Sequence, residues 1–476
     1  MKFPTARLRA AALALLAPTL VPAPAQAQDL TQLQRDMKQM QQQYETAIAK
    51  LRGDYDARMK DMETRLKSAE DKATSATSTA ADAQKTAEAT QLQVASAPAP
   101  APEAAASPPA SAPASASGFN PAIGAVLNGT FTGYTRDPKS YRIPGFALGD
   151  EARLLPRGFS IGESEINLQA NADPYLFANL TLSFPGDKTV GVEEGFVQST
   201  SLPFGLTAKA GRFFSGIGYL NEQHSHTWDF VDQPLPYRAF LNNQYGDDGV
   251  QVRWLAPTDR FLEFGAEAAR GDAFPAGGTA DHNAGVGAWS LFAHTGDDIG
   301  DSANYRIGLS QLWTKAKDRT TDGLSGTDTY SGTDHTYIAD AVLKWAPNGN
   351  FVDRYVKLQG EYFLRQENGN FNGSRVGNRI QTGWYLQGVY QFLPRWRVGL
   401  RYDQVHAASL GSGFAGTTLD NLASTSRRYT SMVDYSTSEF GRFRLQYSYD
   451  RSRPAPDNQF VLQYVISIGA HGAHIY

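Results

Sequence analysis

Cysteine is absent from all 476 residues, which removes disulfides, thiolate metal sites and cysteine nucleophiles at once. Beyond residue 27 no apolar run approaches the ~20 residues that a membrane helix requires, so a helical membrane protein is excluded. The chain holds no Gly-x-Ser-x-Gly elbow, no phosphate-binding glycine loop and no His-Glu-x-x-His helix. An enzyme is therefore not expected, and neither is a nucleic-acid partner.

What is present falls into segments of different physics. Residues 1–27 carry Lys2, Arg7 and Arg9, then the apolar stretch from Ala10 to Val21, then Ala25-Gln26-Ala27. That order is a secretory signal peptide cleaved after Ala27. Its loss removes three basic residues and moves the formal net charge from −4 to −7. Across residues 28–95, apolar or small residues recur three or four apart, at Leu33, Met37, Met40, Tyr44, Ile48, Leu51, Tyr55, Met59, Met62 and Leu66, then along an alanine seam from Ala69 to Ala87. This periodicity predicts a self-associating coiled coil, placed in the periplasm if the remainder is an outer-membrane barrel. Residues 96–118 are almost entirely Ala, Pro and Ser, an extended spacer that cannot bury apolar surface.

From residue 119 to 476 the dominant period is two. Phe443, Leu445, Tyr447 and Tyr449 alternate with Arg442, Arg444, Gln446 and Ser448, and Trp396, Val398, Leu400 and Tyr402 alternate with Arg397, Gly399, Arg401 and Asp403. One face suits lipid and the other suits water. About sixteen such segments follow one another. Tight links, as at Asp173-Pro174-Tyr175 and Leu393-Pro394-Arg395, alternate with mostly long ones near 138–156, 219–246, 271–284, 318–333, 367–377 and 407–423. Short turns on one side and long loops on the other predict an all-β transmembrane barrel of about sixteen antiparallel strands, porin-like, in the outer membrane of a Gram-negative bacterium. Phe177, Phe204, Phe261, Tyr355, Trp396 and Phe440 lie beside tight turns and are expected to form an aromatic girdle. The expected partners are outer-membrane lipid, two further copies in a homotrimer, and peptidoglycan within reach of the N-terminal arm.

Charge on the inward faces is unevenly distributed. Glu163, Glu165 and one of Glu193 or Glu194 come early, whereas Arg253, Arg397, Arg401, Arg442 and Arg444 come mostly late. Closing the barrel then sets an acidic wall against a basic wall around a lumen that these residues line. The longest loop, 219–246, is expected to fold inward and set the constriction. It contains His224 and His226, whose i, i+2 spacing on extended chain aims both imidazoles one way, with Glu222 and Asp229 as oxygen ligands for zinc. His471 and His474 form a weaker second pair. No resident cofactor is required; zinc would be ligand or cargo.

The layout of signal, coiled coil, spacer and barrel resembles the phosphate-selective and sugar-specific porins. Further strings are Tyr141-Arg142-Ile143-Pro144-Gly145-Phe146, the run from Lys209 to Leu220, Gln223-His224, Tyr245-Gly246-Asp247-Asp248-Gly249 and Gly469-Ala470-His471. On these the chain resembles proteobacterial outer-membrane proteins labelled zinc-regulated or TonB-dependent receptors. That resemblance implies metal uptake. The expected function is a porin-like channel for small hydrophilic solutes, and the alternative is a TonB-dependent-type receptor for zinc or a metal complex. A receptor of that type holds a plug in a barrel of about 22 strands, more than the sequence supplies.

Overall fold

The computed structural model describes residues 121–186, 189–278, 285–323 and 326–469, together with Lys60, Thr64 and Lys67 as helical positions. The signal peptide, the spacer, nearly all of the coiled coil, and His471 and His474 lie outside the described residues.

Phe443 and Leu445 are 43% and 50% exposed, while Arg444 and Gln446 between and after them are 1% and 2% exposed. The usual burial is thus inverted: apolar side chains face out and charged ones face in. Repeated around a closed ring, as by Leu309, Leu386, Leu400 and Leu462, this outward apolar belt requires lipid as its solvent. Among the described residues no helix is long and apolar enough to cross a membrane, so the strands do it.

The strands follow in chain order. First come β1 (Ala122–Tyr134), β2 (Gly158–Ser160), β3 (Ser164–Asp173), β4 (Leu176–Phe184), β5 (Gly191–Ser199) and β6 (Leu206–Phe214). Next are β7 (Gly246–Leu255), β8 (Phe261–Ala269), β9 (Ala288–Ile299), β10 (Ala303–Asp322), β11 (Thr327–Trp345) and β12 (Tyr355–Phe371). The last are β13 (Ser374–Leu393), β14 (Trp396–Ala407), β15 (Ser426–Ser438), β16 (Gly441–Arg451) and β17 (Asp457–Gly469). Each pairs antiparallel with its neighbours, and β17 returns to β1 in register from Gly124↔Gly469 to Tyr134↔Gln459, which leaves no free edge. Because β2 and β3 both pair with β1, they are two pieces of one stave, and the barrel has sixteen.

Two links predicted as long loops are not. The segments 318–333 and 367–377 are mostly strand, because β10 to β13 run 20, 19, 17 and 20 residues. Asn372 and Gly373 alone join β12 to β13, with φ of 49° and 78°. That Asn-Gly pair supplies the left-handed backbone a two-residue hairpin demands. The girdle expectation is met at four of its six positions. Phe204, Phe261, Trp396 and Phe440 are exposed, whereas Phe177 and Tyr355 sit on the inward parity of their strands: Phe177 lies 6.4 Å from the Phe196 ring, and the Tyr355 hydroxyl accepts from Arg397.

The interior is not empty. Loop L3 (residues 215–245) carries the helix α1 (Leu235–Leu241), which is wholly buried. Together with Tyr141, Ile143 and Phe146 of loop L1 (135–157), it packs against the inner faces of β9 to β14. Phe240 stacks on Phe363 at 5.6 Å, and Phe146 meets Phe240 edge-on at 5.5 Å. Gly383 of β13 makes room, since a Cβ there would lie 2.8 Å from the Phe240 ring. Phe414 and Leu419 of loop L7 (408–425) build a second cluster with Tyr330, Phe371 and Val376 nearer the loop rim. By contrast, the inner faces of β3 to β6, at Asn167, Gln169, Asn179, Phe196 and Lys209, are only half-buried.

Candidate functional site

L3 crosses the barrel because the walls offer acceptors and donors for its backbone. The Glu267 carboxylate accepts from Ser215 Oγ and, at 2.9 Å, from the Gly216 N–H. Glu361 accepts from the N–H of Tyr219 at 3.1 Å and from the hydroxyls of Tyr237 and Tyr385 at 2.9 and 2.6 Å. On the far side, Gln446 accepts from the Val231 N–H at 2.8 Å. The loop is thus tied to β8, β12 and β16 inside the barrel, and each buried bond would cost about 1–3 kcal/mol to leave unmade.

One flank of L3 meets the acidic wall. Ser225–Thr227 form a single 3-10 turn, which stacks the His224 and His226 rings 5.8 Å apart and aims both at β3 and β5. His224 Nδ1 lies 3.2 Å from Glu193 and 3.3 Å from Glu165, its Nε2 lies 3.1 Å from Glu194, and His226 Nδ1 lies 3.2 Å from Glu165. Burial opposes a charged imidazole, yet the Glu193 charge and hydrogen bonds to all three carboxylates outweigh it and hold His224 well above the ordinary histidine pKa.

Two β-bulges make this convergence. Thr181 pairs with Glu194 and Leu182 with Val192, which leaves Glu193 as an extra residue, so consecutive glutamates both reach the lumen. The second lies between β2 and β3, where Thr130↔Ser160 and Val126↔Glu165 enclose one more residue on the bulged side. Gly162 takes φ 56° there, and a Cβ would lie 2.8 Å from the Asn128 carbonyl oxygen. Glu163 thereby comes within interacting range of Glu165 and Glu193. Strict alternation admits only one of Glu193 and Glu194; the Gly191-Val192-Glu193-Glu194-Gly195 run is the signal for both.

The other flank presents carboxylates to the basic wall. Asp229 accepts from Lys357 at 2.9 Å and Arg397 at 3.0 Å. Asp232 accepts from Arg428 at 2.6 Å, Arg401 at 2.8 Å and Arg238 at 3.0 Å. Burial pushes both acids up, but these cations more than reverse it and hold each well below the usual carboxylate range. β14, which bears Arg397 and Arg401, lies seven staves from β5 in a ring of sixteen, nearly across the lumen.

Several sequence expectations are corrected. Glu222 does not join the histidines; it pairs with Arg253, and Asp229 is committed to Lys357 and Arg397. The carboxylates beside the imidazoles come from the barrel wall instead. Of the expected lumen residues, Glu163, Arg253, Arg397 and Arg442 remain partly accessible, while L3 covers Glu165, Arg401 and Arg444. Arg253 also stands apart from the late arginines, on β7 beside Glu222 and Glu263.

The chain is similar to an uncharacterized protein of Aquifex aeolicus, with 30% identity over 389 residues that cover 76% of this chain and 81% of the relative. The two belong to one family. No family model matches the chain. Among solved structures, this chain's barrel is similar to a loop L8 deletion mutant of OmpT from Vibrio cholerae, at 13% identity and TM-score 0.47 over 73% of this chain and 99% of that one. It is also similar to an anion-selective porin of Comamonas acidovorans at 10% identity and TM-score 0.47, with the same coverage, and to the outer-membrane channel DcaP of Acinetobacter baumannii. DcaP is 12% identical with a TM-score of 0.44 over 73% of this chain and 97% of that one. None of these names carries the zinc-regulated or TonB-dependent label. Sixteen staves are also too few for the barrel of such a receptor.

Proposed function

We propose that the protein is an outer-membrane channel for small hydrophilic solutes, in which L3 sets a narrow constriction. One observation carries this reading: L3 lies inside a closed sixteen-stave barrel with imidazoles against one wall and carboxylates against the other. A solute passing the half-buried faces of β3 to β6 crosses a field between Glu163 on one side and Arg397 and Arg442 on the other, which sorts by charge and dipole. Passage is passive, and three copies assemble as a homotrimer.

The buried aromatic cluster around α1 supports a second reading, a stoppered barrel that acts as a ligand receptor. Planar-bilayer recording separates the two. The channel reading expects small, discrete current steps from the purified wild-type protein. It is overturned if wild type is silent while a variant with residues 226–241 replaced by a short Gly-Ser linker conducts, because L3 is then a stopper.

A further inference from the structure

The acidic flank of L3 is more than an electrostatic seat for two histidines. Three glutamates, Glu165, Glu193 and Glu194, contact the two imidazoles, and Glu163 stands within interacting range of Glu165 and Glu193, so carboxylates outnumber the rings. The side chains of Glu165, Glu193 and Glu194 are 4%, 7% and 11% exposed, which makes unbalanced negative charge expensive there. Lys209 is the neighbouring cation: its ammonium rests on the Phe196 and Phe213 rings at 4.5 and 5.4 Å and feels the charge of Glu194.

The geometry fits a metal centre. Glu165, Glu193 and His224 each offer one ligand atom, all within 4.8 Å of one another. His224 Nδ1 stands 3.3 and 3.2 Å from its two carboxylate neighbours. Bond lengths of about 2.0–2.1 Å in a tetrahedral zinc site put its ligand atoms roughly 3.3 Å apart. The outer contacts fit as well. A ligating histidine hands its second nitrogen to a carboxylate, and a ligating carboxylate is itself hydrogen-bonded. Here His224 Nε2 faces Glu194 at 3.1 Å, and the remaining oxygen of Glu165 faces His226 Nδ1 at 3.2 Å.

We propose that Glu165, Glu193 and His224 Nδ1 bind one divalent cation of the zinc class, with Glu194 and His226 as orienting partners and a fourth position left open to the lumen. A cation there ties the bulged wall of β3 and β5 to L3. The site stands apart from the channel reading, because its test measures binding and not current.

The test uses the full chain, metal-stripped in detergent at neutral pH, with zinc chloride followed by calorimetry and cobalt chloride by its visible absorption. Wild type is expected to take up one equivalent of zinc saturably and to give the intense cobalt band of a tetrahedral site. Glu165→Gln and Glu193→Gln should weaken zinc at least tenfold and abolish that band, and Glu194→Gln should weaken zinc about tenfold. Glu222→Gln should match wild type. Retained heat-modifiable mobility on gels shows that each variant is folded. Saturable zinc uptake that is unchanged in folded Glu165→Gln and Glu193→Gln overturns the proposal, as does a folded wild type that takes up none.

Discussion

Single side chains hold L3, and two of them make sharp predictions. Asp232 is ringed by Arg238, Arg401 and Arg428, with Gln446 as a further donor at 2.9 Å. Asp232→Ala leaves Arg401 and Arg428 to share Asp403 and takes the carboxylate from Arg238, and should lower stability by about 3 kcal/mol, read as a shift in the urea midpoint of the folded barrel. Because its folded pKa is depressed, Asp232 stabilises fully above the unfolded value of about 3.9 and loses that contribution as pH falls through the lower folded value. The difference in midpoint between wild type and Asp232→Ala should therefore hold steady from pH 7 to pH 5 and shrink only below about pH 4; shrinkage already at pH 6 contradicts the assignment. Glu361→Ala leaves the Tyr237 and Tyr385 hydroxyls without their acceptor and should cost about 2–4 kcal/mol in the same assay. At this scale the sequence was only partly legible. The His224 and His226 pair stands out in the chain, but their carboxylate neighbours lie 30 to 61 residues away. Glu222 and Asp229 are near in sequence and commit elsewhere, because an arginine or lysine of the wall is the stronger partner.

At the level of elements, period-two alternation found the strands, and it failed where the period breaks. The bulges at Glu193 and between β2 and β3 are departures from alternation, so a strict pattern assigns only one of two consecutive glutamates to the inside. β10 to β13 were read as shorter because polar Thr, Ser and Asp residues at their loop-rim ends look like loop, although backbone pairing continues through them. α1 is not legible either: seven residues with Pro236 in the first turn and Pro234 at the N-cap give no helical period, and burial against β12 to β14 holds it. Gly383→Leu drives a side chain into Phe240 and should lift α1 from the wall. The expected result is new protease cleavage within 226–241 while the barrel keeps its heat-modifiable mobility. On the opposite face, Leu445→Arg places a charge in the lipid belt and should cost about 2–4 kcal/mol, measured by urea unfolding in bilayers.

For the molecule as a whole, the ordering of charge along L3 mirrors the walls it touches. Glu222 meets Arg253 of β7, the imidazoles follow and meet β3 and β5, and Asp229 and Asp232 then meet β12, β14 and β15. Segregated early glutamates and late arginines were visible in the sequence, and so were the strings from Tyr141 to Phe146 and from Lys209 to Leu220. The first string and the Ser215–Leu220 end of the second form part of the lumen filling, while Lys209–Phe214 belongs to β6 of the wall. That the filling is largely aromatic could not be read, because it depends on which loops turn inward.

The unequal staves have a further consequence. At about 3.3 Å per residue and a tilt near 40°, the nine residues of β4, β5 and β6 rise roughly 23 Å, enough for an apolar band of about 25 Å. The twenty of β10 and β13 rise roughly 50 Å by the same reckoning. One side of the mouth therefore stands as a parapet while the other is nearly flush with the bilayer. On the proposed channel reading, a solute would enter through a sideways-facing opening whose sill is the low edge above β4 to β6.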